Sequence, residues 1–122
     1  MKIIIWILTC TCLIGGTAYA GEADVVDVRV RMTGKDTFSL DVTVRHADEG
    51  WKHYADKWDV VAPDGLVLGT RTLYHPHVDE QPFTRSLSGV KIPESIKEVT
   101  VRAHDSVHKY GGKTMTLVVP TK

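Results

Sequence analysis

Alternation with a period of two runs through most of this chain, and no other feature constrains its fold as tightly. From Ala23 to Met32, Val26, Val28 and Val30 alternate with Asp27, Arg29 and Arg31, the pattern of a strand with one face in a core and one in water. Phe38, Leu40, Val42 and Val44 repeat it against Ser39, Asp41, Thr43 and Arg45. The Thr33-Gly34-Lys35-Asp36 stretch between them has turn composition, which predicts an antiparallel hairpin. Trp58, Val60 and Val61 give a third strand that stops at Ala62-Pro63-Asp64-Gly65, where proline presets the second position of a type I turn. Leu66 to Leu73, Phe83 to Leu87, Val99 to Ala103, and the Met115, Leu117, Val119 series predict four more. Helical periodicity is absent, and Ile92-Pro93-Glu94-Ser95-Ile96 has room for one helical turn at most. Seven short strands in about a hundred residues predict an all-β, immunoglobulin- or fibronectin-like antiparallel β-sandwich, with a small barrel as the alternative.

The start of the chain is of another kind. Lys2, an apolar run from Ile3 to Ile14, and Ala18-Tyr19-Ala20 have the three-part layout of a cleavable signal peptide. Cleavage is expected after Ala20, leaving a β-sandwich domain over 21–122. The apolar run is shorter than the roughly 20 residues needed to cross a bilayer core of about 30 Å, so no membrane span is expected after cleavage. The expected location is the periplasm or the exterior. Cys10 and Cys12 both fall in the leader, so the mature chain would form no internal disulfide and offer no thiolate to a metal. Thr9 and Thr11 precede these cysteines, and the apolar run continues past them to Leu13 and Ile14, which argues against lipid attachment. Losing twenty of 122 residues leaves 102, the size of one domain. It carries 14 basic and 15 acidic side chains, a balance that makes nucleic acid an unsuitable partner, because such binding needs a concentrated basic face.

The chemistry is in the histidines. All six, His46, His53, His75, His77, His104 and His108, lie beyond the leader. His46 ends the second predicted strand with inward register, and its expected role is a hydrogen-bonded packing residue. The other five fall in the second-to-third, fourth-to-fifth and sixth-to-seventh connections. In consecutive antiparallel strands these alternate connections share one end of the sandwich, about 20 Å from the histidine-free turns at the other. Neutral imidazole is the commonest protein ligand for zinc and copper, and loops on a rigid scaffold are where binding residues concentrate. His53, His75, His77, His104 and His108 are therefore the candidate metal ligands, with Pro76 stiffening the His75-Pro76-His77 segment. Asp48, Glu49, Asp56, Asp79, Glu80 and Asp105 lie in or beside the same loops as further ligands or as partners that orient an imidazole. Imidazole with carboxylate and no thiolate suits Zn(II), Cu(II), Ni(II) or iron.

The segments His53-Tyr54-Ala55-Asp56-Lys57-Trp58, His75-Pro76-His77-Val78-Asp79-Glu80-Gln81-Pro82-Phe83-Thr84-Arg85 and Val101-Arg102-Ala103-His104-Asp105-Ser106-Val107-His108 together resemble a family of small, uncharacterised exported bacterial proteins. The resemblance spans most of the mature chain and implies no activity or site residue. The histidine-bearing loops also resemble superoxide reductase in architecture, but the cysteine iron ligand of that enzyme has no counterpart here, which argues against the same chemistry.

The expected function is an exported transition-metal-binding protein for copper or zinc handling, with Cu(II) or Zn(II) as the bound ion. The alternative is a metal-free interaction module that docks another exported protein through Trp51, Tyr54, Tyr74, Tyr110 and the histidine-rich loops. No catalytic residue and no enzyme activity is expected, because no serine or cysteine nucleophile stands with a paired base.

Overall fold

The computed structural model describes residues 21–121, so the expected leader, with Cys10 and Cys12, lies outside the described residues. Seven strands follow in order: β1 (Asp24–Gly34), β2 (Thr37–Arg45), β3 (Ala55–Val61), β4 (Val67–Thr72), β5 (Phe83–Lys91), β6 (Glu98–Asp105) and β7 (Met115–Val118). They form two antiparallel sheets, one ordered β1-β2-β5 and the other β4-β3-β6-β7, so the chain is an all-β sandwich. Among the described residues no helix is long and apolar enough to cross a membrane.

The alternation read in the sequence becomes the core. Leu40, Val42 and Val44 of β2, Trp58 and Val60 of β3, Val99 and Val101 of β6, and Phe83 of β5 are all buried between the sheets. Two bulges alter the expected pattern. Val25 pairs with Val44 while Asp27 pairs with Thr43, so Val26 is an extra residue, and Val25 is the buried valine at that end of β1. A second bulge lets β5 run on to Lys91 instead of stopping near Leu87. Phe38 pairs with Val90 and Leu40 with Leu87, and the extra residue is absorbed where Gly89 adopts φ 72°, a region open to glycine without steric cost.

The connections sort to two poles. At one, the Ser106 amide donates to the Tyr54 carbonyl at 3.0 Å, and the His46 amide donates to Gln81 Oε1 at 3.0 Å. These contacts tie the β2–β3, β4–β5 and β6–β7 connections together. At the other, the Ile92 amide donates to the Asp36 carbonyl at 2.9 Å. A groove of about 330 Å³ opens beside it, floored by Met32, Phe38, Ile92 and Val119. It holds no imidazole, so this groove and the histidines lie at opposite ends.

Candidate metal centre

The inward register of the central strands runs past their ends into polar residues. On β2 the core-facing series Phe38, Leu40, Val42, Val44 continues to His46, just beyond the strand and 3% exposed. On β6 the series Val99, Val101, Ala103 ends at Asp105, which is fully buried. Ahead of β3, His53 is two residues before buried Ala55 and is 9% exposed. A tight turn holds it: the Glu49 amide donates to the His53 carbonyl at 2.8 Å, and the His53 amide donates to the Gly50 carbonyl at 3.2 Å, with Gly50 at φ 101°. One layer of the sandwich core is thus two imidazoles and a carboxylate, drawn from both sheets.

Their donor atoms converge. His46 Nε2 lies 3.3 Å from His53 Nε2, and His53 Nε2 lies 3.2 Å from Asp105 Oδ1. One donor atom from each of the three residues falls within 4.8 Å of the others. Two bonds of about 2.0–2.1 Å meeting at a tetrahedral angle span roughly 3.3–3.4 Å between their ends, so these separations match those of ligands around one zinc-sized ion.

The protonation pattern points the same way. A carboxylate only accepts, so His46 Nδ1 donates to Asp48 Oδ1 at 2.5 Å and His53 Nδ1 donates to Glu49 Oε1 at 3.1 Å. With both rings neutral, both Nε2 lone pairs would face inward, toward Asp105 Oδ1 and the Gly21 carbonyl oxygen; with His46 charged, its Nε2 instead donates to that carbonyl at 3.0 Å. Acceptors facing acceptors in a buried site repel one another unless a cation stands among them. Asp105 Oδ2 is buried with no hydrogen-bond partner among the described residues. Burial alone would raise the Asp105 carboxyl, but the amides of His108 and Val107 and the nearby His46 and His108 hold it below the ordinary carboxylate range. Burial likewise opposes a charged His46, yet the hydrogen bond and charge of Asp48, with the charge of Asp105, raise its imidazole above the usual value. The pocket favours positive charge, whether a proton or a metal ion supplies it.

The five histidines singled out in the sequence do not gather at one point. His53 belongs to the cluster. His108 borders it, with Nδ1 3.3 Å from Asp105 Oδ1 and its ring 4.9 Å from that of His53. His77 is buried next to the cluster, its amide donating to Asp48 Oδ2 at 2.7 Å, but its ring stacks on Phe83 at 4.0 Å. Both its ring nitrogens lack partners among the described residues, and burial, with Arg85 and His75 nearby, keeps it below the usual imidazole pKa. His75 is exposed at the rim, its ring 4.6 Å from that of His77. His104 is one residue before Asp105 on β6 and so points to the opposite face of the sheet, where Nδ1 meets Asp56 Oδ1 at 2.5 Å and its ring meets Tyr110. In place of His75, His77 and His104 the cluster contains His46, which is both buried and hydrogen-bonded as the sequence suggests, and Asp105. The inward register of His46 and the place of Asp105 beside the histidine loops are both legible in the sequence, but their meeting with His53 is not.

These residues define a β-sandwich with an imidazole–carboxylate cluster at one pole. Over 96 residues the chain is 43% identical to a Halomicrobium mukohataei protein named "Putative lipoprotein", a match that covers 79% of this chain and 47% of that protein. The chain thus spans about half the length of the relative it matches. No protein-family model matches it, and no solved structure does.

Proposed function

We propose that the protein is an exported binder of a divalent transition metal, Zn(II) or Cu(II), held by His46, His53 and Asp105. The observation that carries this reading is the pair of 3.2–3.3 Å separations that brings one ligand-type atom each from His46, His53 and Asp105 together in a buried pocket. Asp48 and Glu49 fix the two imidazoles through their outer nitrogens, an arrangement that orients metal-ligating histidines and raises their basicity. His108 is placed to approach a fourth position from the solvent side. Two imidazoles, one carboxylate and no thiolate suit zinc, copper or iron better than calcium or magnesium. Export is supported by the leader-like first twenty residues and by the name of the Halomicrobium relative.

A docking role without metal draws on the exposed Trp51 (69%) and Tyr74 (76%) in the connections at the same pole. Calorimetric titration of the metal-free mature protein with Zn(II) and Cu(II) separates the two readings. One equivalent should bind, and His53→Ala or Asp105→Asn should weaken it by more than the roughly 10–100-fold typical of losing an orienting partner. A His75→Ala, His77→Ala double variant should bind nearly as the wild type does. Failure of both ions to bind would leave the docking role as the better reading.

A further inference from the structure

We propose that the α-amine created at Gly21 by cleavage after Ala20 is itself a ligand of this centre. The inference rests on the metal-binding reading and extends it to a donor that no side chain supplies. The Gly21 carbonyl oxygen is 3.0 Å from His46 Nε2, the nitrogen left facing the cluster once Nδ1 is engaged by Asp48. Within one residue the amine nitrogen and the carbonyl oxygen are separated by two carbons, so together they close a five-membered chelate ring around an ion. Rotation about the Cα–C bond of Gly21, which carries no side chain, would bring its amine onto an ion met by that carbonyl.

The segment is held there. The Val25 amide donates to the Lys113 carbonyl at 2.8 Å, and the Lys113 amide donates to Asp24 Oδ1 at 2.7 Å. Ala23 is buried, and it passes so near Gly112 that a Cβ there would lie 2.0 Å from the Ala23 carbonyl oxygen. The β6–β7 connection, which follows Asp105, therefore clamps the strand that begins just after the cleavage point. An α-ammonium has a pKa of about 7.7–8.0, low enough for a metal ion to displace its proton near neutral pH. Binding would release that proton, and the site would assemble fully only after export and processing.

The test uses protein exported through its own leader and purified, with intact mass establishing that it begins at Gly21. It is compared with a variant carrying Gly-Ser inserted between Ala20 and Gly21, which moves the amine away but keeps every side chain. Cu(II) is titrated into both, with affinity, proton release and the electron paramagnetic resonance spectrum as readouts. The insertion should weaken Cu(II) binding by at least the roughly 10–100-fold seen on losing an orienting partner, alter the copper spectrum and lower proton release, while metal-free thermal unfolding stays the same. Equal affinity and an identical spectrum would overturn the amine as a ligand and leave His46, His53 and Asp105 standing. Absence of copper binding in both proteins would remove the metal reading and this inference with it. A mature chain that starts elsewhere, for instance at a lipid-modified Cys10, would overturn the inference alone.

Discussion

Glu49 is the residue whose contribution separates most cleanly into binding and folding. Its carboxylate accepts from His53 Nδ1 at 3.1 Å while its side chain is 62% exposed, so replacing it disturbs the orientation of His53 and little of the core. Glu49→Gln should weaken Zn(II) binding by about tenfold and change unfolding free energy by less than about 0.5 kcal/mol, measured by titration and urea denaturation of the metal-free protein. Asp48 offers no such separation, because it accepts from the amides of Ala55 and His77 as well as from His46. At this scale the sequence was a partial guide. Which residue types gather at the pole was readable from strand parity, but which way each ring turns was not. His104 and Asp105 are adjacent in sequence and reside on opposite faces, and it is the continuation of the β6 alternation through Ala103 to Asp105 that turns Asp105 inward.

At the level of the strands, the irregularities are set by single residues. The β5 bulge depends on Gly89 at φ 72°, with no atom within 4 Å of where a Cβ would stand. Gly89→Ala should therefore cost only the conformational penalty of a left-handed residue, about 1–2 kcal/mol. Urea denaturation would show that cost, and metal affinity should stay unchanged because the bulge lies toward the opposite pole. The strands were legible because turn signals bound each of them and because β1, β2 and β6 alternate in side-chain character; β3, buried on both faces over Trp58 to Val61, was marked by its apolar run instead. The bulges were not legible, since Ser88-Gly89 reads as a strand end when its partner strand is unseen, and Val26 reads as core until the pairing with β2 displaces it. The His46, His53 and Asp105 cluster stayed hidden for a related reason: it needs the last inward position of strands from two sheets, and their relative alignment is a tertiary fact.

Across the whole molecule, a second polar group supports the outer face of the four-stranded sheet. Asp59 on β3 is nearly fully buried, accepting from Thr70 at 2.6 Å, from the Tyr110 hydroxyl and from Arg102 at 3.3 Å. Arg102 also stacks over the Tyr110 ring at 3.9 Å. Burial alone would raise the Asp59 carboxyl, but the hydrogen bonds of Thr70 and Tyr110 and the charges of Lys57 and Arg102 hold it below the ordinary value. A carboxyl depressed on folding adds stability above the unfolded pKa of about 3.9, and that stability is lost as pH falls through the folded value. Asp59→Asn should thus lower unfolding free energy by roughly 1.5–3 kcal/mol near neutral pH, and its deficit should narrow in denaturation curves taken below about pH 4. The three inward donors at the other site have a consequence of a different order. They join chain positions roughly sixty residues apart and belong to opposite layers, so an ion bound among them would be a removable cross-link. Closing a loop of that length restricts the unfolded chain by about 4 kcal/mol in the chain-entropy treatment of such ties, the kind of constraint that a disulfide would otherwise supply and that residues 21–121, which contain no cysteine, do not form.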